Sequence, residues 1–160
     1  MIVVADASPI ICLSRIGRLD LLREVFTEIL VPDEVRDEVE AGLDGAAILR
    51  SHSWIESRPV HDRNRLVALA KEMDIGESAA IVLSIEPRAE RLLMDERRGR
   101  AVAEREGLTV IGVAGVLLRE KALGIVPRIG PILDDLVSRA RLRLAPEVVT
   151  RALALADEEP

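Results

Sequence analysis

The hydrophobic positions of this chain fall into short runs separated by longer stretches of helical spacing. Ile2, Val3, Val4 and Ala5 are apolar without interruption and are stopped by Asp6. Residues 28–31, 92–94 and 109–111 repeat that form, and residues 54–57 give a weaker version of it. An apolar run of this length, bounded by turn residues, predicts a strand buried on both faces, as in a parallel sheet. Between the runs the apolar positions return every three or four residues. Ser8 and Pro9 open a first helix through Ile10, Ile11, Cys12 and Leu13, with the Ser8 hydroxyl as its cap. Leu19, Leu21 and Leu22 mark a second helix, and Val35 and Val39 share one face of a third that Pro32 opens. A short helix is expected to begin at Asp44 or Gly45. Longer ones are expected over 62–72, 77–85, 97–106, 112–123, 128–140 and 146–156. Residues 74–76 read as a break, Gly107 as a helix end, and 157–160 as a frayed end. Strands alternating with helices predict an α/β fold: three layers, α/β/α, around a central, mainly parallel sheet. Residues 1–160 are expected to form a single domain.

Composition narrows the choice of partners. The net charge is −6, which argues against coating nucleic acid by bulk charge. An acidic nuclease is still allowed, because a bound divalent metal reverses the local sign. Phe26 and Trp54 are the only aromatic residues, so base stacking cannot supply recognition. Lys71 and Lys121 are the only lysines; the remaining cations are arginines, which suit phosphate or carboxylate and are equally explained by the base composition of the source genome. Cys12 is the single cysteine and reads as a core residue. His52 and His61 lack the spacing of a zinc site. The first residues lack the basic region of a signal peptide, and the longest apolar stretch, 110–118, is too short to span a membrane. The expected location is cytoplasmic.

The candidate chemistry is acidic. Asp6 and Asp95 each follow a predicted strand, so a parallel sheet brings both carboxylates out at one edge, where open sheets place their ligands. Glu38 and Glu77 sit in helices otherwise devoted to packing. For Glu77 the plainer reading is a first-turn acid that complements the helix dipole; for Glu38 it is the solvated face of an acidic helix. Converging carboxylates repel one another unless some protonate or a cation joins them. Oxygen donors suit Mg²⁺ or Mn²⁺, which can activate water and neutralise charge on a phosphodiester. Other acidic-edge enzymes lose a key residue here. A phosphoaspartyl hydrolase needs a second Asp where Ser8 stands. A receiver domain needs an acid pair where Ala5 precedes Asp6. The segment Gly112-Val113-Ala114-Gly115 lacks the Lys-Ser/Thr of a phosphate loop.

Several segments in order carry a family resemblance: Val4-Ala5-Asp6-Ala7-Ser8-Pro9, Gly17-Arg18-Leu19-Asp20-Leu21-Leu22, Val31-Pro32-Asp33-Glu34-Val35-Arg36-Asp37-Glu38, Asp74-Ile75-Gly76-Glu77-Ser78-Ala79, Met94-Asp95-Glu96-Arg97 and Gly112-Val113-Ala114-Gly115. Together they resemble a PIN-domain nuclease, and within that family the toxin ribonucleases of toxin–antitoxin pairs. The resemblance implies a metal-dependent endoribonuclease acting on RNA, with Asp6, Glu38, Glu77 and Asp95 as the metal-binding acids. It makes Asp6 the principal ligand for Mg²⁺ or Mn²⁺, and Ser8 either a group that orients Asp6 or a metal-bound water, or simply a helix cap. It also implies a cognate antitoxin and a homodimer. Glu96 competes with Asp95 for the fourth place; Asp95 is favoured because it comes directly off the strand. Val113 stands where relatives often carry Thr. Arg97, Arg98 and Arg100, and likewise Arg139, Arg141 and Arg143, read either as solvated faces or as contacts for RNA phosphates. The alternatives are a housekeeping RNA-processing nuclease and a PIN-like module that binds RNA or protein without cutting.

Overall fold

The structure is a computed structural model and describes residues 1–42 and 45–160. Among the described residues five strands form one sheet, in the order β3-β2-β1-β4-β5, with every neighbouring pair parallel. They are β1 (Val3–Ala5), β2 (Ile29–Pro32), β3 (Ile55–Arg58), β4 (Arg91–Leu93) and β5 (Val110–Ile111). The first strand lies at the centre, with Ala5 in register with Leu93 and Val4 with Leu30. Its three residues are completely buried, as expected for a strand covered on both faces. The expected α/β fold with a parallel central sheet is therefore the observed one.

Ten helices among the described residues surround the sheet: α1 (Ala7–Arg15), α2 (Asp20–Phe26), α3 (Asp33–Glu40), α4 (Gly45–Ser51), α5 (Arg63–Leu69), α6 (Ile75–Ile85), α7 (Arg97–Arg105), α8 (Val113–Ala122), α9 (Gly130–Ser138) and α10 (Pro146–Leu155). Of the two residues proposed to start α4, Asp44 lies outside the described residues. Helix α6 is the central one, packing across β1, β2 and β4 and against α3 and α5. Ala79, Ala80, Ile81 and Val82 are fully buried, so the middle of this helix is apolar all round. The buried Ser78 and Ser84 hydroxyls donate to the carbonyls of Asp74 and Ala80 one turn back, which leaves neither unsatisfied.

Three local expectations change. Residues 74–76 are a helix start rather than a break. Asp74 caps α6 by accepting the Glu77 N–H at 2.8 Å, and Ile75 and Gly76 are helical. Ser8 is not the cap of α1. That position belongs to Asp6, in extended conformation, and Ser8 sits exposed within the first turn. The chain end after α10 is held rather than frayed. Glu158 accepts the N–H groups of Ile129 (2.9 Å) and Gly130 (3.0 Å) at the start of α9, and pairs with Lys121 of α8 at 2.9 Å.

Only 4% of the Glu158 side chain is exposed. Burial disfavours its charge, but the two N–H groups and Lys121 together outweigh this and hold it down at about 2. Glu158→Ala is expected to cost about 2 kcal/mol of stability, the scale of hydrogen bonds to a charged group, read by urea unfolding at pH 7. Because the folded pKa is depressed, this contribution is present above the ordinary carboxylate range and lost as pH falls towards 2. The two proteins should therefore converge in strong acid.

Candidate active site

The carboxyl edge of the sheet is assembled by short-range bonding. Asp6 N–H donates to Leu93 O at 2.9 Å, which extends the β1–β4 pairing one step beyond the strand. Met94 N–H donates to Ile111 O at 3.0 Å and aligns β4 with β5 in the same way. Asp95 follows, and its Oδ1 accepts the Val113 N–H at the start of α8, 3.0 Å away. Asp6 and Asp95 thus leave adjacent strands side by side. The helix after β2 carries Glu38 back over this edge, and α3 packs against α6. A Cβ on Gly76 would lie 2.9 Å from Glu38 Oε2, so the glycine is what lets α3 bring that carboxylate to the start of α6. Glu77 lies in that same first turn.

The four predicted acids share one electrostatic field. Asp6 is 4% exposed. Burial pushes it up to about 7; the Ala7 N–H draws it partly back, and the charges of Glu38, Asp74 and Asp95 push it further. Glu77 rises to about 8 through burial and the charges of Asp74, Asp6 and Glu96. Burial raises Asp95 to about 6 against the pull of the Val113 N–H and Arg100. Glu38 is raised as well, by burial and then by Asp74. Every one of these groups is held above its ordinary value, first by burial and, for Asp6, Glu38 and Glu77, also by neighbouring carboxylates.

Partner choice divides the acids of α3. Asp33 and Asp37 pair with Arg36, and Glu34 pairs with Arg63 at 2.9 Å. Neither Glu38 nor Glu40 forms an ion pair among the described residues, and Glu38 approaches Gly76. Asp95 and Glu96 also differ in their partners. Glu96 caps α7, accepting the Gly99 N–H at 2.8 Å, whereas Asp95 Oδ2 is buried with no hydrogen-bond partner.

Asp74 is not among the candidate acids read from the sequence. Its charge acts on Asp6, Glu38 and Glu77 alike, which makes it a fifth member of the cluster. The signal was present as Asp-Ile-Gly-Glu, an acidic cap with Glu three residues on. That pattern also explains why the residue reads first as a structural cap.

The donor set fits a hard divalent cation. It consists of carboxylate oxygens, Arg100 acts on Asp95 alone among them, and Asp95 Oδ2 is a buried acceptor with no hydrogen-bond partner. No group of three or more His, Cys, Asp or Glu among the described residues is drawn together into a metal cage. An ion at this edge would accordingly take one or two direct carboxylates and complete its shell with water, as Mg²⁺ does.

Gly112 lets β5 and α8 approach this edge. A Cβ there would stand 2.7 Å from both Asp95 Oδ1 and Arg100 Nη1. Gly112→Ala is expected to displace the Asp95 carboxylate and lower any turnover that depends on it by about 100-fold, the scale of an ångström-level misplacement. Steady-state kinetics at matched folded fraction will check this.

No curated protein and no solved structure matches the chain. Among the described residues no helix is long and apolar enough to cross a membrane. Residues 2–158 match the family model described as a PIN domain, so with its parallel sheet and the acids at that sheet's carboxyl edge the chain belongs to the PIN-domain family.

Proposed function

We propose that this protein is a metal-dependent endoribonuclease that hydrolyses RNA phosphodiester bonds. PIN domains are generally nucleases and typically use divalent metals. The observation that carries the reading is the set of carboxylates gathered around buried Asp6, with the unpartnered Asp95 Oδ2 among them. Asp6 is the principal candidate ligand, with Asp95, Glu77 and Glu38 completing the set. A Mg²⁺ or Mn²⁺ ion bound there would neutralise phosphate charge and make water a better nucleophile. Within the chain, the Val113 N–H and Arg100 steady Asp95, and Asp74 fixes the turn that carries Glu77. Ser8 stands exposed in the first turn of α1, where its hydroxyl is free to orient Asp6 or the attacking water.

The finer proposal is a toxin of a toxin–antitoxin pair, acting as a homodimer and held in check by a small cognate antitoxin in the cytoplasm. It rests on the order and spacing of the motifs. A co-purifying small protein that suppresses cleavage supports it; cleavage untouched by any such partner returns the protein to a housekeeping RNA-processing role.

The decisive test is cleavage of an RNA panel by the purified protein, with Mg²⁺ or Mn²⁺ added and then chelated. Cleavage that requires the metal is the expected result. Binding of RNA without metal-dependent cleavage would make the protein a binding module.

A further inference from the structure

We propose that Arg141 and Arg143 form a phosphate subsite for a single-stranded RNA backbone, facing Ser8 and Asp95 across a shared cavity. The inference rests on the nuclease reading and extends it to how the strand is held. The cavity measures about 210 Å³ and is lined by Ser8, Cys12, Asp95 and Glu96 on one side and by Arg141, Leu142 and Arg143 on the other. It therefore joins the carboxylate edge to the loop between α9 and α10.

That loop is anchored, which fixes where its cations stand. Leu142 is buried between the two exposed arginines, and its N–H donates to Leu136 O at 2.9 Å. Ala140 O accepts from Arg15 Nη1 at 3.2 Å, with the Cys12 thiol 3.7 Å away, which ties the loop to α1. Arg141 itself has φ of 59°, a left-handed conformation that a non-glycine residue holds at a cost.

Partner use divides the arginine cluster of the sequence. Arg139 is taken by Asp135 at 3.6 Å. Elsewhere Arg36, Arg58, Arg63 and Arg105 each hold a carboxylate. Arg141 and Arg143 form no ion pair among the described residues, in a chain whose net charge is −6. Two unpaired guanidiniums on an anchored loop, opposite carboxylates expected to hold a cation, present positive charge on both sides of the cavity. A phosphodiester suits that space, and arginine's planar fork suits its oxygens. Aromatic stacking plays no part, consistent with a chain that has only Phe26 and Trp54.

The test measures binding: anisotropy of a fluorescein-labelled single-stranded oligoribonucleotide with Ca²⁺ in place of Mg²⁺ or Mn²⁺, over a salt series, with the oligonucleotide checked for intact length afterwards. Arg141→Gln with Arg143→Gln should weaken binding at least about tenfold and make the log–log salt slope shallower by about 1.4, two single-strand phosphate contacts. Arg141→Lys with Arg143→Lys should recover most of the slope, which a purely structural role would not. The control pair Arg88→Gln with Arg91→Gln, at the amino end of β4 and so on the opposite sheet edge, should bind as wild type does. Wild-type affinity and slope in the glutamine pair, alongside a wild-type enzyme that binds and cuts RNA, overturns the subsite alone. A wild-type protein that neither binds nor cuts RNA overturns the nuclease reading, and the subsite falls with it.

Discussion

Asp6→Asn is expected to lower metal-dependent RNA cleavage by about 1,000-fold, the scale of losing a group that stabilises transition-state charge, while leaving the fold intact. Asn has nearly the volume of Asp, and the Asp6 N–H that extends the sheet belongs to the backbone and survives. What is lost is a buried negative charge at the centre of the acidic cluster. The same substitution should stabilise the metal-free protein in alkaline buffer. Asp6 and Glu77 sit at about 7 and about 8, and Asp95 at about 6, all above their unfolded values. A raised carboxyl contributes stability that is present below pH 4 and lost as pH rises through its folded pKa. The wild-type protein in chelator should therefore weaken between pH 5 and 8, and the Asn variant should weaken less. Mg²⁺ or Mn²⁺ should reverse the wild-type loss at pH 8 and do little near pH 5, where these acids hold their protons. Thermal unfolding with and without metal at the two pH values checks this independently of catalysis. Undiminished metal-dependent cleavage by the variant would remove Asp6 from the site.

The parts of this architecture that could be read in advance were those written in local pattern. Residues 2–5 and 92–94 announce buried strands because a strand covered on both faces needs no polar alternation. Asp6 and Asp95 announce the sheet edge because each ends such a run. The role of Asp74 was hidden because a cap and a site acid look alike in a sequence: the same carboxylate accepts the Glu77 N–H and presses on three other acids. Ser8 misled as a cap because Ser-Pro is a sound helix start, yet Asp6 occupies the position one step earlier. The clasp of Glu158 joins backbone N–H groups 28 and 29 residues upstream, a pairing no local rule contains. Arg139, Arg141 and Arg143 look equivalent in sequence and are separated only by who pairs with whom.

Glu120 carries a signal that was available and has a large consequence. Val113, Val116, Leu117 and Glu120 follow the spacing of one helical face, so the stripe that packs α8 inward ends on a carboxyl. Glu120 is completely buried, and neither of its carboxylate oxygens has a hydrogen-bond partner. Burial pushes it up to about 7; Arg18 pulls it down and Glu24 pushes it up, and neither overcomes the loss of solvent. Its contribution to stability is thus intact below the unfolded value of 4.5 and is lost as pH rises through 7. Converted at the usual scale, the ionised form costs the folded protein about 3 kcal/mol at pH 8. Glu120→Gln removes the charge at nearly constant volume. It should be about equal to wild type near pH 4 and more stable by up to that amount at pH 8, which for a domain of this size is roughly 2–4 °C in Tm per kcal/mol. Glu120→Met also removes the unpartnered polar atoms and should gain at both pH values. Glu120 shares no charged neighbour with Asp6, so the Glu120→Gln and Asp6→Asn gains should add in the double variant. A glutamine variant no more stable than wild type at pH 8 would show that the carboxylate finds solvent or a cation in the folded protein.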